Sequence, residues 1–119
     1  MIQTGSGAMA DQAHFRYPLD RYGAAFSALT TLGLSVAVVP QPAQINLRGQ
    51  SSDLTAAVVE ACGGLALAAR VNDATANGTW HCLGLGPDEW LLVGPMDTGP
   101  EVAARLTDKL SVHHASVVE

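Results

Sequence analysis

Charged residues are scarce in this sequence, and their scarcity limits the partners that the chain can bind. Lys, Arg, Asp and Glu make up 14% of the 119 residues, against roughly 25% in soluble domains. Only six residues are basic and the net charge is -5, so a phosphate backbone would meet few cations. The composition argues against nucleic-acid binding and favours a chain that buries one face against partner proteins.

Cysteines, aromatic residues and long apolar runs are also few. Cys62 and Cys82 lack a CxxC spacing and form no secreted disulfide framework, which favours two free, buried thiols in a reducing compartment. Aromatic residues are only 5% of the chain, so Leu, Val and Ala must build the core. No run approaches the 18 or so apolar residues of a membrane helix, and residues 1–12 do not resemble a signal peptide. We therefore expect a cytoplasmic protein with no membrane contact.

The length predicts one small domain with one core. We expect residues 1–13 to form a flexible tail and residues 14–119 to form a single α+β domain. That domain is either complete or the N-terminal half of a longer subunit.

The N-terminal third predicts a helix followed by a strand. Asp20 can cap a helix whose apolar side chains, including Tyr22 and Phe26, lie on one side, and Gly33 is a typical helix end. The apolar residues 34–40 predict a short strand ended by proline.

From Gln44 onward the periodicity alternates between strand and helix. Oxygens from Ser51, Ser52 and Asp53 can cap the first helix, and Pro100 suits the start of the second. The predicted order is strand 44–49, helix 51–62, strand 79–85, strand 90–94, helix 99–110 and strand 111–119. This is the split βαββαβ, or ferredoxin-like, arrangement, an α+β fold with helices on one face of an antiparallel sheet.

The segment LGLGPDEWLLVG, residues 83–94, places two carboxylates and a tryptophan between two apolar runs. In the split arrangement the first strand lies antiparallel to the third, which brings Arg48 close to Asp88 and Glu89. We predict that these acids close a turn and pair with Arg48 and that they perform no acid–base catalysis. Trp90 is the predicted anchor, either buried in the core or at a surface as an interface hot spot.

The histidines do not predict a metal site. His81 and Cys82 are adjacent on a strand, as are His113 and His114, and adjacent strand residues point to opposite faces. Neither pair can easily ligate one ion by itself. Partly exposed histidines are the expectation.

No catalytic set is evident elsewhere. Gly84 and Gly86 lack the third glycine of a dinucleotide-binding fingerprint, and Pro87 stands where its helix should begin. An enzymatic interpretation rests only on convergence of Asp88, Glu89 and His81.

Three segments carry a family resemblance: residues 42–58 (PAQINLRGQSSDLTAAV), residues 65–72 (LALAARVN) and residues 83–94. Together they resemble the gamma subunit of heterotetrameric sarcosine oxidase, over roughly residues 35–119. In that family an NLRG strand end, a short helix and a GPDEWLL strand entry occur in this order. The motif positions here are Asn46, Leu47, Arg48, Gly49 and residues 86–92.

The resemblance implies a bacterial cytoplasmic complex that oxidatively demethylates sarcosine to glycine, with hydrogen peroxide as a further product and tetrahydrofolate as one-carbon acceptor. It places FAD, FMN, NAD and tetrahydrofolate in the alpha and beta subunits and zinc in the delta subunit. The gamma subunit resembles the folate-binding domain of glycine-cleavage aminomethyltransferase and has no assigned catalytic residue.

We therefore expect a non-catalytic structural subunit that binds no cofactor or metal itself. Its partners would be the alpha, beta and delta subunits. The candidate structural or partner-interface residues are Asn46, Arg48, Gly49, Gly86, Pro87, Asp88, Glu89 and Trp90. The alternative hypothesis is a stand-alone βαββαβ module that binds a folate or an amino acid.

The length departs from the family. Gamma subunits of this kind continue past a VVDVS-like strand into a second, related half, whereas this sequence stops at Glu119. The chain is then a fragment or a shortened relative, and we expect an uncovered sheet edge and apolar face. Such surfaces favour a homodimer of the isolated chain or a partner that covers them.

Overall fold

The computed structural model describes residues 18–119. Contacts divide the chain into two compact units, Met1–Val39 and Pro40–Glu119. The tail predicted for residues 1–13 lies outside the described residues. The single domain predicted for residues 14–119 stays a prediction.

The first unit contains the predicted helix in a shorter form. A 3-10 turn at Asp20–Tyr22 leads into helix α1, Gly23–Ala28, and a second 3-10 turn spans Leu29–Leu32. Gly33 follows in the left-handed conformation, with φ of 76°, so the predicted end is confirmed. Asp20 begins the first 3-10 turn and does not cap α1, because the residue preceding α1 is Tyr22.

The strand predicted at residues 34–40 is absent, and the prediction was wrong. The chain has no regular secondary structure from residue 34 to residue 42. Alternating or β-branched residues favour an extended backbone, but a strand also requires a neighbour for its hydrogen bonds. No strand among residues 18–119 pairs with this segment.

The second unit is a five-stranded antiparallel sheet with two helices. Its strands are β1, Ala43–Arg48; β2, Ala74–Ala76; β3, His81–Gly86; β4, Glu89–Gly94; and β5, Ser116–Val118. Helix α2 spans Ser51–Ala61 and helix α3 spans Gly99–Lys109. The strand order is β2-β3-β4-β1-β5, and every pairing is antiparallel. Without β2 this is the predicted split βαββαβ order, and the α+β fold class is confirmed.

One face of the sheet packs against both helices. Along β1 the burial alternates, with Ile45 and Leu47 fully buried and Gln44 exposed. Val102 and Leu106 of α3 are buried, as is Leu110 just past its C-terminal end. The largest fully buried aliphatic side chains are Ile45, Leu47, Leu54, Val58, Leu65, Leu92 and Leu106. As predicted, aliphatic residues fill most of the core.

Helix α2 begins without the predicted cap. Its N-cap residue is Gln50, which makes no side-chain capping bond. Ser51, Ser52 and Asp53 occupy helical positions, so the prediction that their oxygens cap the helix was wrong. The C-terminal end agrees with the predicted bound at residue 62, because the helix ends at Ala61. Beyond it Gly64 N donates to Val59 O at 2.7 Å with a φ of 94°.

Strand β2 was not predicted. Its sequence, Ala-Thr-Ala, spans three residues and contains two poor strand formers. It pairs with β3 through Ala74 opposite Leu83 and Ala76 opposite His81. A strand this short is specified by its neighbour and not by its own composition.

The face of the sheet opposite the helices is not covered by any element of residues 40–119. Register and alternation place on it Leu83, Leu85, Leu91 and Val93 of β3 and β4 and, beyond the polar side chains of β1, Val118 of β5. We call these five residues the open face. No helix among residues 18–119 is long and apolar enough to cross a bilayer.

Candidate functional site

The site predicted around the two acids forms where β1 ends and β4 begins. Arg48 and Glu89 are direct partners in the β1–β4 register. Arg48 Nη2 lies 3.0 Å from Glu89 Oε1, and Asn46 Nδ2 donates to Glu89 Oε2 at 2.9 Å. Each carboxylate oxygen of Glu89 therefore accepts a bond from β1. We call Asn46, Arg48, Asp88 and Glu89 the acidic corner.

The hydrogen bonds from Asn46 and Arg48 favour the ionised form of Glu89 and lower its pKa. The same carboxylate raises the pKa of Arg48. A general acid or base must exchange its proton near the working pH, and this arrangement keeps both groups charged at neutral pH. The corner therefore holds an ion pair between β1 and β4.

The turn before Glu89 is tied to β1 through its backbone. Gly49 N donates to Asp88 O at 3.0 Å, so the NLRG strand end and the GPDE turn are joined by a main-chain bond beside the ion pair. Gly86 ends β3 next to a register shift in its pairing with β4, and Pro87 with Asp88 forms the turn. The carboxylate of Asp88 adds negative charge near Arg48.

Trp90 lies in the core of the sheet unit, with 3% of its surface exposed. Its indole Nε1 donates to Ala68 O at 2.9 Å. Ala68 N in turn lies 3.4 Å from Cys82 Sγ. The tryptophan therefore holds the segment after α2 against the sheet, and a surface hot spot at Trp90 does not match this position.

A cleft of about 700 Å³ adjoins the corner. It lies between the β1–α2 connection and residues 112–116, and its charged or titratable lining includes Arg48, Asp53, Asp88 and two histidines. His113 Nδ1 approaches Asp53 Oδ1 at 3.4 Å. The lining of the cleft combines both signs of charge with apolar surface, so it does not by itself favour one class of ligand.

The remaining candidates for chemistry do not converge. His81 is exposed on β3, whereas His113 and His114 are exposed near the cleft. Among residues 18–119 no three His, Cys, Asp or Glu residues are placed to hold a metal ion.

The two cysteines are free and buried. Burial, with a smaller contribution from the nearby Cys82 thiol, raises the pKa of Cys62 to about 11. Thiols with so high a pKa are poor nucleophiles at neutral pH.

The sequence did not predict two close approaches of other groups to strand glycines. A Cβ on Gly84 would overlap the carbonyl oxygen of Arg70, and a Cβ on Gly94 would lie 2.5 Å from the ring of Trp80. Glycines inside predicted strands are a sequence signal for close approach. The identity of the approaching group depends on the tertiary structure.

The chain is similar in structure to a chain of the heterotetrameric sarcosine oxidase from Corynebacterium sp. U-96, solved in complex with pyrrole 2-carboxylate. The two are 27% identical, with a TM-score of 0.67, and the match covers 87% of this chain. It covers 54% of the other chain, so this sequence spans about half the length of that neighbour. No protein-family model and no curated protein matches the sequence.

Proposed function

We propose that this chain is a non-catalytic structural subunit of a sarcosine-oxidase-type complex, in the position of its gamma subunit. The observation that carries the proposal is the similarity to a heterotetrameric sarcosine oxidase chain over 87% of this sequence at 27% identity. Partner chains of alpha, beta and delta type would hold FAD, FMN, NAD, tetrahydrofolate and zinc. The complex would demethylate sarcosine, with tetrahydrofolate as the one-carbon acceptor.

The geometry of the acidic corner supports the non-catalytic role. Both oxygens of Glu89 are occupied by Asn46 and Arg48, and the main-chain bond from Gly49 to Asp88 fixes the turn. These contacts join two strands of one sheet. They suit a rigid scaffold better than a site that must accept a substrate and exchange a proton.

Co-expression with candidate alpha, beta and delta chains tests the assembly. A tag on this chain should retain the other three through affinity and size-exclusion steps in a fixed ratio. A chain that elutes alone in the presence of all three would contradict the proposal.

Turnover by the assembled complex tests the non-catalytic role separately. Asp88→Asn and Glu89→Gln should leave sarcosine oxidation per assembled complex unchanged. A loss of turnover without a loss of assembly would assign chemistry to the corner.

The cleft supports a second candidate, a stand-alone module that binds a folate or an amino acid. Its volume of about 700 Å³ lies within the usual range of ligand sites, roughly 300–1,000 Å³. Calorimetric titration of the isolated chain with tetrahydrofolate, glycine and sarcosine separates the two candidates. The subunit proposal expects no heat of binding, whereas saturable binding that Arg48→Ala abolishes would favour the module.

A further inference from the structure

The side chain of Asn77 joins the end of helix α2 to the turn between β2 and β3. Its Nδ2 atom donates to Cys62 O at 2.6 Å and to Gly63 O at 3.3 Å. Helix α2 ends at Ala61, so both carbonyls lie where the chain leaves the hydrogen-bonding pattern of the helix and oxygens lack partners within it. One amide group therefore supplies donors to main-chain oxygens from a distant part of the chain.

The oxygen of the same amide closes the turn. Asn77 Oδ1 accepts hydrogen bonds from Thr79 N at 3.1 Å and from Trp80 N at 2.8 Å. Asn77 N donates to Trp80 O at 3.1 Å. Because Trp80 is buried, with 5% of its surface exposed, packing in the core fixes the far side of the turn. The amide group therefore has partners on both its oxygen and its nitrogen, which hold it in one orientation.

Asn77 is followed by glycine, and this pair of residues has its own chemistry. A glycine carries no Cβ, so its main-chain nitrogen can attack the carboxamide of a preceding asparagine without obstruction, and Asn-Gly pairs deamidate readily for this reason. Of the three asparagines in the chain, Asn46, Asn72 and Asn77, only the last precedes glycine. Gly78 has a φ of 90°, and residues 77–79 are exposed. Water therefore has access to this turn.

The reaction requires water and no other co-reactant. Gly78 N forms a bond to Asn77 Cγ, the Cγ–Nδ2 bond breaks, and Nδ2 leaves as ammonia with the proton from Gly78 N. Water then opens the resulting succinimide ring. Attack at Cγ gives aspartate, and attack at the main-chain carbonyl carbon of residue 77 gives isoaspartate. Nothing is oxidised or reduced.

The folded chain opposes this reaction through the four hydrogen bonds of the amide. The carboxamide must rotate until Cγ faces Gly78 N, which breaks the two bonds inside the turn. Nδ2 must also leave, which breaks the two bonds to the end of α2. Local opening of the turn therefore has to precede deamidation.

We propose that the pair Asn77–Gly78 is a deamidation site that the fold protects, that opening of the β2–β3 turn exposes, and whose modification weakens the fold. In the aspartate product a carboxylate oxygen replaces the Nδ2 donor and faces two carbonyl oxygens at the negative end of the α2 dipole. The modified side chain no longer ties α2 to the turn. The inference concerns this chain by itself and does not depend on the proposed function.

Deamidation of the full wild-type chain in native buffer and in concentrated urea, at the same mildly alkaline pH, tests the protection. Peptide mass spectrometry after digestion at acidic pH measures conversion at each asparagine, so Asn46 and Asn72 serve as internal controls. Asn77 should convert fastest of the three in urea and at least about tenfold more slowly in native buffer. Equal rates at Asn77 in the two conditions, or faster conversion of either control in urea, would overturn the proposal.

Two variants test the effect of the modification on the fold. Asn77→Asp reproduces the aspartate product, and Asn72→Asp makes the same change at an exposed asparagine of the same segment. At neutral pH Asn77→Asp should unfold at a lower urea concentration than both the wild type and Asn72→Asp. Its deficit should shrink below the ordinary Asp pKa of about 3.9, because a protonated carboxyl group can again donate to Cys62 O. A midpoint of Asn77→Asp equal to that of the wild type at neutral pH, or a deficit independent of pH, would overturn the proposal.

Discussion

Gly84 on β3 offers a direct test of how closely the core is packed. A Cβ built on Gly84 overlaps Arg70 O. The same backbone segment is held by two bonds to Gly84, from Asn72 N to Gly84 O at 2.8 Å and from Gly84 N to Asp73 O at 2.9 Å. The change Gly84→Ala must push the segment away and weaken both bonds.

The magnitude follows from those contacts. Each hydrogen bond contributes about 0.5–1.5 kcal/mol net, and overpacking a tight site costs about 1–3 kcal/mol. We expect Gly84→Ala to lower the free energy of unfolding by about 2–4 kcal/mol. The free energy of unfolding of an 80-residue unit is about 4–12 kcal/mol. The expected loss is therefore a large share of its stability.

Gly86→Ala is the control on the same strand. A Cβ added at Gly86 would lie 3.6 Å from Glu89 Cβ, which is an ordinary contact. Gly86→Ala should therefore change the free energy of unfolding by no more than about 0.5 kcal/mol. Both variants restrict the unfolded chain by the same glycine-to-alanine change, and that contribution cancels in the comparison.

Urea unfolding followed by circular dichroism measures the difference. If the free energy of unfolding falls by about 2 kcal/mol for each 1 M of urea, Gly84→Ala should reach its unfolding midpoint at a urea concentration about 1–2 M below that of Gly86→Ala. Equal midpoints would refute the close approach of Arg70 to β3.

Three further predictions concern the anchor, the corner and the thiols. Trp90→Phe removes the donor to Ala68 O and leaves a buried carbonyl unpaired. The free energy of unfolding in urea should therefore fall by about 2–4 kcal/mol. A fall below about 1 kcal/mol would contradict the anchor role. The lowered pKa of Glu89 means that its ion pair stabilises the fold above its ordinary value of 4.5 and ceases to do so as pH falls through the lowered value. Glu89→Gln should therefore lower the melting temperature by more at pH 7 than at pH 2, and an equal difference at both pH values would count against the pair. Cys62 and Cys82, with raised pKa values, should react with a thiol reagent at pH 8 only after unfolding, and rapid reaction of either in the folded chain would show that it is accessible.

The sequence could predict most contacts of the acidic corner because those contacts depend on the order of the strands. Antiparallel pairing of the first and third predicted strands brings Arg48 near Asp88 and Glu89, and the structure confirms this proximity. Asn46 was selected as a motif residue, but its bond to the second oxygen of Glu89 depends on the register of β1 against β4, which periodicity does not specify.

The sequence by itself determined the order of the six strands and helices of the split βαββαβ arrangement and the turn at residues 86–89. These depend on the spacing of apolar residues and on Gly and Pro within a single segment. Only the tertiary structure decided that residues 34–40 lack a strand, that Ala74–Ala76 forms one, and that the open face is left uncovered within residues 40–119. Each of these depends on what lies beside a segment, since hydrogen bonds between strands and packing against a sheet need a second element that local composition does not name.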